Sequence, residues 1–336
     1  MKRLLYLLVL LTTLLSAACA EAPLAVWPKE HAPQRILHVG DCWYAMMGTY
    51  GGPDAELAVG PSPDALETIY QEDAYVWSFV ASQTHAAWTQ RTAGDGTLEW
   101  MLYDRATGET TLVHSEPEGD VRPCFSIALT QDRLYYVRNE GPDGAGCVYV
   151  RSLADGTDTP WGEAQGRIGA IAVRSDMLVL VQQQESGWTL HVMDASGRRE
   201  YKALEMPERV AQIYDVDYDP STGLFGLYYM DTESAEHAAL LTWPRMYNLF
   251  TFSRGVYALG DDISLVDGHF RWTVQIEASG YVTDHYRVVD YDVLHNQPVE
   301  HLRSYWCAPA EEGLLVLSFN ADGAYDGCEM HVYPDE

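Results

Sequence analysis

Basic residues are scarce in this sequence of 336 residues, which has 21 Lys and Arg against 49 Asp and Glu and a formal net charge of −28. A surface this acidic repels the phosphate groups of nucleic acids and the headgroups of anionic lipids. Nucleic acid is therefore excluded as an expected partner. Attachment to a membrane is expected only through a covalent anchor.

Motifs of catalysis and metal binding are also missing. The 11 His residues include no H-E-x-x-H or H-x-x-x-H spacing, so no zinc site is predicted. There is no G-x-S-x-G motif, which argues against a serine-hydrolase domain. The sequence therefore predicts no catalytic residue and no cofactor, apart from the calcium triplet considered below.

The chain begins with an apolar run. Met1-Lys2-Arg3 is basic, Leu4–Leu15 is apolar apart from two Thr residues, and Ser16–Ala20 consists of small side chains. This order is typical of a secretory signal peptide, and the run is too short to span a membrane comfortably. We therefore predict a signal peptide over residues 1–20 and a mature chain outside the cytoplasm.

Two processing sites fit this signal peptide. Ala18-Cys19-Ala20 is an A-x-A site that would leave Glu21 as the first residue. Alternatively, the sequence S-A-A-C resembles a bacterial lipobox, in which Cys19 is lipidated and becomes the first residue. The Leu usual three residues before the Cys is replaced here by Ser16. We expect a membrane-anchored lipoprotein in preference to free secretion.

Residues 21–34 follow as a tether that contains three Pro residues. Within the tether, Leu24–Trp27 is apolar enough to form a short edge strand.

The rest of the chain, residues 35–336, repeats a hairpin pattern. In Trp100–Thr111, W-M-L-Y-D-R-A-T-G-E-T-T, an alternating strand is followed by a turn at Gly108 and a second strand. Related turns occur at Gly156 and Gly197, and at Asn296, where Asn also tolerates the left-handed conformation. Short strands with a period of about 40 to 50 residues are typical of a β-propeller.

A second turn, such as Arg174-Ser175-Asp176, recurs between the first two strands of four units. The pattern resembles the TolB-type, WD-repeat-like propeller blades, which carry an S-P-D-G-like turn after the first strand and an L-Y-D-x-x-T-G-like turn after the third. Tyr103-Asp104 with Thr107-Gly108 matches the second motif closely. The resemblance covers nearly all of the mature chain and implies an architecture without an activity.

The predicted fold is accordingly all-β, a single propeller of about seven four-stranded blades. Six blades are the alternative if the irregular region 243–302 holds fewer. The last unit ends after a third strand at Met330–Tyr333, and the open edge of a last blade needs a covering strand. We therefore expect Leu24–Trp27 to supply the missing outer strand and close the ring.

The segment Asp215-Val216-Asp217-Tyr218-Asp219 has the D-x-D-x-D spacing with which many calcium loops begin, because Ca²⁺ needs several hard oxygen ligands. Pro220 stands where the loop expects Gly, and no closing Glu follows. The alternative is a strand that ends in an Asp-Pro turn capped by Asp219, and this alternative is favoured.

Acidic residues lie in the loops that join the second and third strands of the units, which should emerge on one face of the ring. They include Asp95, Glu140, Asp143, Asp231, Asp322 and Asp326. These loops either form a binding face or reflect the general acidity of the chain, and the second interpretation is preferred.

Five Cys residues remain after Cys19. Candidate disulfides are Cys124 with Cys147, Cys307 with Cys328, and Cys42 with Cys307. In each of the first two pairs, a whole strand would separate the partners, which exceeds disulfide reach unless a loop bends inward.

Two functions fit these features. The first is an extracytoplasmic binding or scaffold protein, acting as a monomer, for a protein, peptide or glycan partner. The alternative is a polysaccharide lyase or glycosidase with its active site in the central funnel. His, Tyr and Arg side chains clustered in the funnel would favour the enzyme, and a funnel of small residues would count against it.

The substitution Cys19→Ala separates the two processing sites, because it removes the acyl acceptor and leaves an A-x-A site intact. For a lipoprotein, the wild type should partition into the detergent phase, since two acyl chains suffice for stable attachment. The variant should move to the aqueous phase. A wild type that is aqueous and begins at Glu21 by mass spectrometry would contradict lipidation.

Overall fold

The computed structural model describes most of the chain from residue 33 to residue 332. The described ranges are 33–48, 53–94, 96–117, 126–139, 145–161, 166–174, 176–185, 187–195, 200–242, 245–252, 256–258, 263–278, 281–310, 313–319 and 325–332. Within them the chain forms 27 β-strands and no helix. Accordingly, no helix in the described ranges is long and apolar enough to cross a membrane.

The first three sheets each contain four consecutive antiparallel strands. Sheet 1 comprises β1 (Pro33–Val39), β2 (Cys42–Met47), β3 (Glu56–Gly60) and β4 (Glu67–Gln71). Sheet 2 comprises β5 (Ala74–Ala81), β6 (His85–Thr92), β7 (Leu98–Asp104) and β8 (Glu109–Glu116). Sheet 3 comprises β9 (Ile127–Leu129), β10 (Arg133–Arg138), β11 (Cys147–Ser152) and β12 (Asp158–Pro160).

Sheets 4 and 5 have the same order of strands. Sheet 4 comprises β13 (Ile168–Arg174), β14 (Met177–Gln184), β15 (Gly187–Asp194) and β16 (Glu200–Glu205). Sheet 5 comprises β17 (Val210–Asp219), β18 (Leu224–Asp231), β19 (Glu236–Thr242) and β20 (Arg245–Phe252). The fold is thus the predicted β-propeller of four-stranded antiparallel blades.

Sheet 6 is larger than the others and has seven strands. It comprises β21 (Val256–Ala258), β22 (Ser264–Val266), β23 (His269–Ala278), β24 (Tyr281–Asp292), β25 (Gln297–Ala310), β26 (Gly313–Phe319) and β27 (Tyr325–Val332). The long strand β25 pairs with β24 through its first half and with β26 through its second half. The strands predicted for a seventh blade therefore continue the sixth sheet, and the described residues form six sheets, which was the alternative to seven blades.

The first and last sheets meet, because β1 of sheet 1 contacts β25 of sheet 6. The expected closing strand Leu24–Trp27 lies outside the described residues, so closure by that segment stays a prediction.

The core lies between neighbouring sheets. The second strand of sheet 4, β14, has five consecutive buried residues from Leu178 to Gln182, because it is covered on both faces. The outer strand β8, in contrast, has no buried residue. Three Trp side chains, Trp88, Trp100 and Trp272, are among the largest that are fully buried.

The predicted turn residues take the backbone conformation that they were assigned. Gly108 has φ of 72° and Gly156 has φ of 70°. Asn296 has φ of 55°, which confirms that Asn replaces Gly in this copy of the turn. Gly197 lies outside the described residues.

The cysteines settle one of the three candidate disulfides. Cys42 is a free and buried thiol, so the candidate pairing of Cys42 with Cys307 is not made. Burial raises the pKa of this thiol. Cys147 and Cys328 are also buried, and Cys124 lies outside the described residues.

We expect Gly226→Ala to destabilise the protein, because a Cβ atom there would lie 2.5 Å from Cε2 of the buried Phe270. Overpacking of this kind costs about 1–3 kcal/mol of unfolding free energy. The matched control is Gly94→Ala, where no atom lies within 4 Å of the added Cβ. Urea denaturation of both variants measures the difference, and equal midpoints would contradict the packing between sheets 5 and 6.

Candidate functional site

The first strands of the sheets surround a central channel. Neighbouring first strands contact one another in chain order from β1 through β5, β9, β13 and β17 to β22, and sheet 6 contributes β25 as well. A cavity of about 260 Å³ occupies this channel. Its wall is therefore assembled from every sheet, which explains why no local sequence motif marks it.

The cavity lies toward one face of the ring. Its lining includes Val39, Ala81, Leu129 and Arg174, which are the last residues of their strands. The turns that follow these residues join the first and second strands of each sheet. We call this side of the ring the first-turn face.

An ion pair between two sheets stands in the cavity wall. Arg174, the last residue of β13, donates from Nε to Oδ1 of Asp217 and from Nη2 to Oδ2, both at 3.0 Å. Two parallel bonds of this kind fix the guanidinium plane. The side chain of Asp217 is 4% exposed, whereas that of Arg174 is 42% exposed. The cation is thus presented to the channel by a buried carboxylate.

Backbone amides complete the surroundings of Asp217. Oδ1 also accepts from the N–H of Tyr218 at 2.9 Å, and Oδ2 accepts from the N–H of Leu265 at 2.8 Å. The carboxylate therefore joins β13, β17 and β22. The charge of Asp217 raises the pKa of Arg174, so the guanidinium stays protonated.

Two hydrogen-bond donors at this position are left for a ligand. Nε and Nη2 of Arg174 donate to Asp217, and Nη1 makes no hydrogen bond within the described part of the chain. Ser264 directly precedes Leu265 and lines the same cavity. Its Oγ is buried and has no hydrogen-bond partner within the described part of the chain.

Asp219, the last residue of β17, is hydrogen-bonded to the turn that follows this strand. Oδ1 accepts from the N–H and Oγ of Ser221, and Oδ2 accepts from Oγ1 of Thr222 and from the N–H of Gly268. Burial alone would raise the pKa of Asp219, but these hydrogen bonds outweigh it and lower the pKa. Asp219 therefore caps the turn, as the alternative interpretation of the triplet expected.

The calcium triplet does not converge on one point. Asp217 faces Arg174, Asp219 faces its own turn, and Oδ1 of Asp215 accepts from the N–H of Val216 at 2.8 Å. Among the described residues, no group of three or more His, Cys, Asp or Glu side chains is arranged to hold a metal ion. Calcium binding stays a prediction, and the contacts favour the capped turn.

The hairpin that contains Asp231 joins the second and third strands of sheet 5, so it lies on the opposite face from the cavity. Asp231 accepts from the N–H groups of Glu233 and Ala235 and contacts Nε2 of His237 at 2.8 Å, so it shapes its own hairpin. Asp326 lies in β27. Asp95, Glu140, Asp143 and Asp322 lie outside the described residues. Their role as a binding face stays a prediction.

The lining of the channel bears on the choice between binding and catalysis. It includes Arg35, His38 and Arg174, together with Ser78, Ser126 and many aliphatic side chains, but no Tyr among the described lining residues. The combination of His, Tyr and Arg that would favour an enzyme is therefore not assembled in this cavity.

Sequence reasoning missed Arg174 and Ser264. Arg174 was noted only as a turn residue, and Ser264 had no signal at all. The Asp partner of Arg174 is 43 positions along the chain, and nothing local links the two.

No protein-family model and no curated protein sequence matches the chain. Solved structures share its fold. TolB from Acinetobacter baumannii has a TM-score of 0.51 at 9% identity, with 75% of this chain and 61% of that chain covered. The β-propeller domain of the Trilobed protease from Pyrococcus furiosus has a TM-score of 0.56 at 11% identity, with 92% and 100% covered.

A structure of prolyl endopeptidase gives a TM-score of 0.56 at 10% identity, with 90% of this chain and 50% of that chain covered. The chain thus spans less than two thirds of TolB and half of the endopeptidase. At these identities the likeness concerns the fold alone, and it confirms the resemblance to TolB-type propellers.

We expect Asp217→Asn to lower the unfolding free energy by about 2 kcal/mol, because charged hydrogen bonds to Arg174 are lost inside the wall. Asp41→Asn is the control, since Asp41 pairs with Arg105 at 3.0 Å but is 81% exposed. The control should match the wild type in chemical denaturation. Equal losses of unfolding free energy in the two variants would show that the buried ion pair stabilises the protein no more than the exposed one does.

Proposed function

We propose that this chain is an extracytoplasmic binding protein that holds a protein, peptide or glycan partner in its central channel, from the first-turn face. The observation that carries the proposal is Arg174, a half-exposed cation fixed toward a cavity by the buried Asp217. A charged side chain preorganised in this way orients a ligand at little entropic cost.

The same contacts favour binding over glycoside cleavage. A glycosidase needs two carboxyl groups that are available for proton transfer or nucleophilic attack. Asp215 and Asp217 both line the cavity. The four bonds to Asp217, from Arg174, Tyr218 and Leu265, use its accepting positions. Asp217 is therefore a positioning group for the cation.

The location outside the cytoplasm is supported by the signal peptide predicted over residues 1–20. We extend the proposal to a lipid anchor at Cys19, with residues 20–34 as the spacer between the membrane and the ring. A monomer held in this way would present its channel to partners in the cell envelope.

Affinity capture from a cell-envelope extract tests which face binds. We expect a partner or glycan class captured by the wild type to be lost with Arg174→Gln. It should be retained with Glu233→Gln, because Glu233 is exposed in a hairpin on the opposite face. Thermal midpoints of both variants verify that they fold. Loss with Glu233→Gln alone would assign binding to the acidic loops and overturn the channel site.

A further inference from the structure

We propose that the cavity beside Arg174 binds the free C-terminal carboxylate of an extended peptide. This inference rests on the proposed function and names the chemistry of its ligand. It begins from the hydrogen-bonding groups that the cavity wall leaves available.

Beside Asp217, the wall offers two side-chain donors, Nη1 of Arg174 and Oγ of Ser264. Nη1 of Arg174 carries two N–H groups, and the bonds from Nε and Nη2 to Asp217 hold the guanidinium plane still. Because the plane is fixed before a ligand arrives, little side-chain freedom is lost on binding.

Ser264 is the second donor and an independent observation. Ser264 is only 7% exposed and lines the cavity. Its Oγ is buried and has no hydrogen-bond partner among the described residues. A buried hydroxyl left in this way destabilises a protein, so such a group calls for an explanation. A ligand oxygen in the cavity would supply the missing partner.

The accepting positions of Asp217 are already used, and Oδ1 of Asp215, which also lines the cavity, accepts from the N–H of Val216. Both oxygens of Asp217 accept one bond from Arg174 and one from a backbone N–H. A sugar hydroxyl must donate as well as accept, and it would find no open acceptor on this carboxylate. A ligand carboxylate only accepts, so it matches a site of donors. Bonds between two charged groups are also the stronger ones.

The channel wall favours a peptide as the carrier of that carboxylate. β13 and β17 are terminal strands of their sheets, so one edge of each faces the channel without a paired strand within the described residues. Extended peptides add to such edges through main-chain hydrogen bonds. A cavity of about 260 Å³ admits the end of a chain and not a folded domain.

The net charge of the protein adds one requirement. At −28, the chain attracts cations over a distance and repels acidic chains. A peptide with basic residues before its C-terminus would therefore associate fastest.

The test uses the full-length protein and a fluorescent pentapeptide of two Lys residues, Gly and two Ala residues. One form has a free C-terminal carboxylate, and the other is amidated. We expect the free acid to bind on the order of tenfold more tightly or better in fluorescence anisotropy, because the amide loses the charged bonds. Galacturonic acid serves as a competitor that carries a carboxylate on a sugar.

Three variants assign the effect to the site. Arg174→Gln should abolish the preference for the free acid. Ser264→Ala should weaken binding of the free acid severalfold without lowering the thermal midpoint, since its hydroxyl has no hydrogen-bond partner among the described residues. The matched control is Arg105→Gln, because Arg105 is 39% exposed and also pairs with an Asp on the first-turn face. This variant should bind like the wild type.

Equal affinity for acid and amide would overturn the inference and leave the binding function standing. Binding of galacturonic acid with no binding of the peptide would replace the peptide by an acidic sugar and overturn it as well. Failure of the peptide to bind, while envelope capture still depends on Arg174, would refute the inference alone.

Discussion

Each sheet in this protein has two apolar faces, and both must be covered. The central strands show it most clearly: from Leu178 to Gln182 every residue of β14 is buried, whichever face it points to. A flat stack of such sheets would leave its two outer faces in water, whereas a ring covers all of them. The contact of β1 with β25 is therefore the condition on which the burial of the other sheets depends.

Polar contacts fix how neighbouring sheets sit on one another once burial has brought them together. The hydroxyl of Tyr44 donates to the carbonyl of Ser82 in the next sheet at 3.1 Å. Between sheets 4 and 5, Nε1 of Trp188 donates to the carbonyl of Ala211 at 3.0 Å. The bonds of Asp217 belong to the same class of contact. The residue that holds Arg174 toward the channel thus also sets the angle between sheets, and site and scaffold are built from one set of interactions.

The sequence predicted what is decided locally. Alternation and the turns at Gly108 and Asn296 depend on a few adjacent residues, and the structure has them as predicted. The number of sheets depends on whether one strand breaks in two near residue 303. The prediction of a seventh blade assumed a break there. No Gly, Pro or polar turn marks such a break, and β25 continues through this position. The pair of Arg174 and Asp217 depends on the stacking of two sheets. In the sequence, Asp217 was noticed only as part of an incomplete calcium motif. The sequence alone does not distinguish an Asp that pairs with an Arg from an Asp that binds a metal ion.

The continuous strand β25 has a consequence for how the units of this chain can be separated. Repeat proteins gain and lose units by duplication or deletion of a segment, and this is harmless where the cut falls in a loop between separate sheets. Such boundaries exist after each of the first five sheets. At β25 the boundary falls inside a strand that two sets of partners share, so removing either unit would leave the other with an incomplete edge. The two units that share β25 therefore form one structural block, whereas the loops after the first five sheets separate independent blocks.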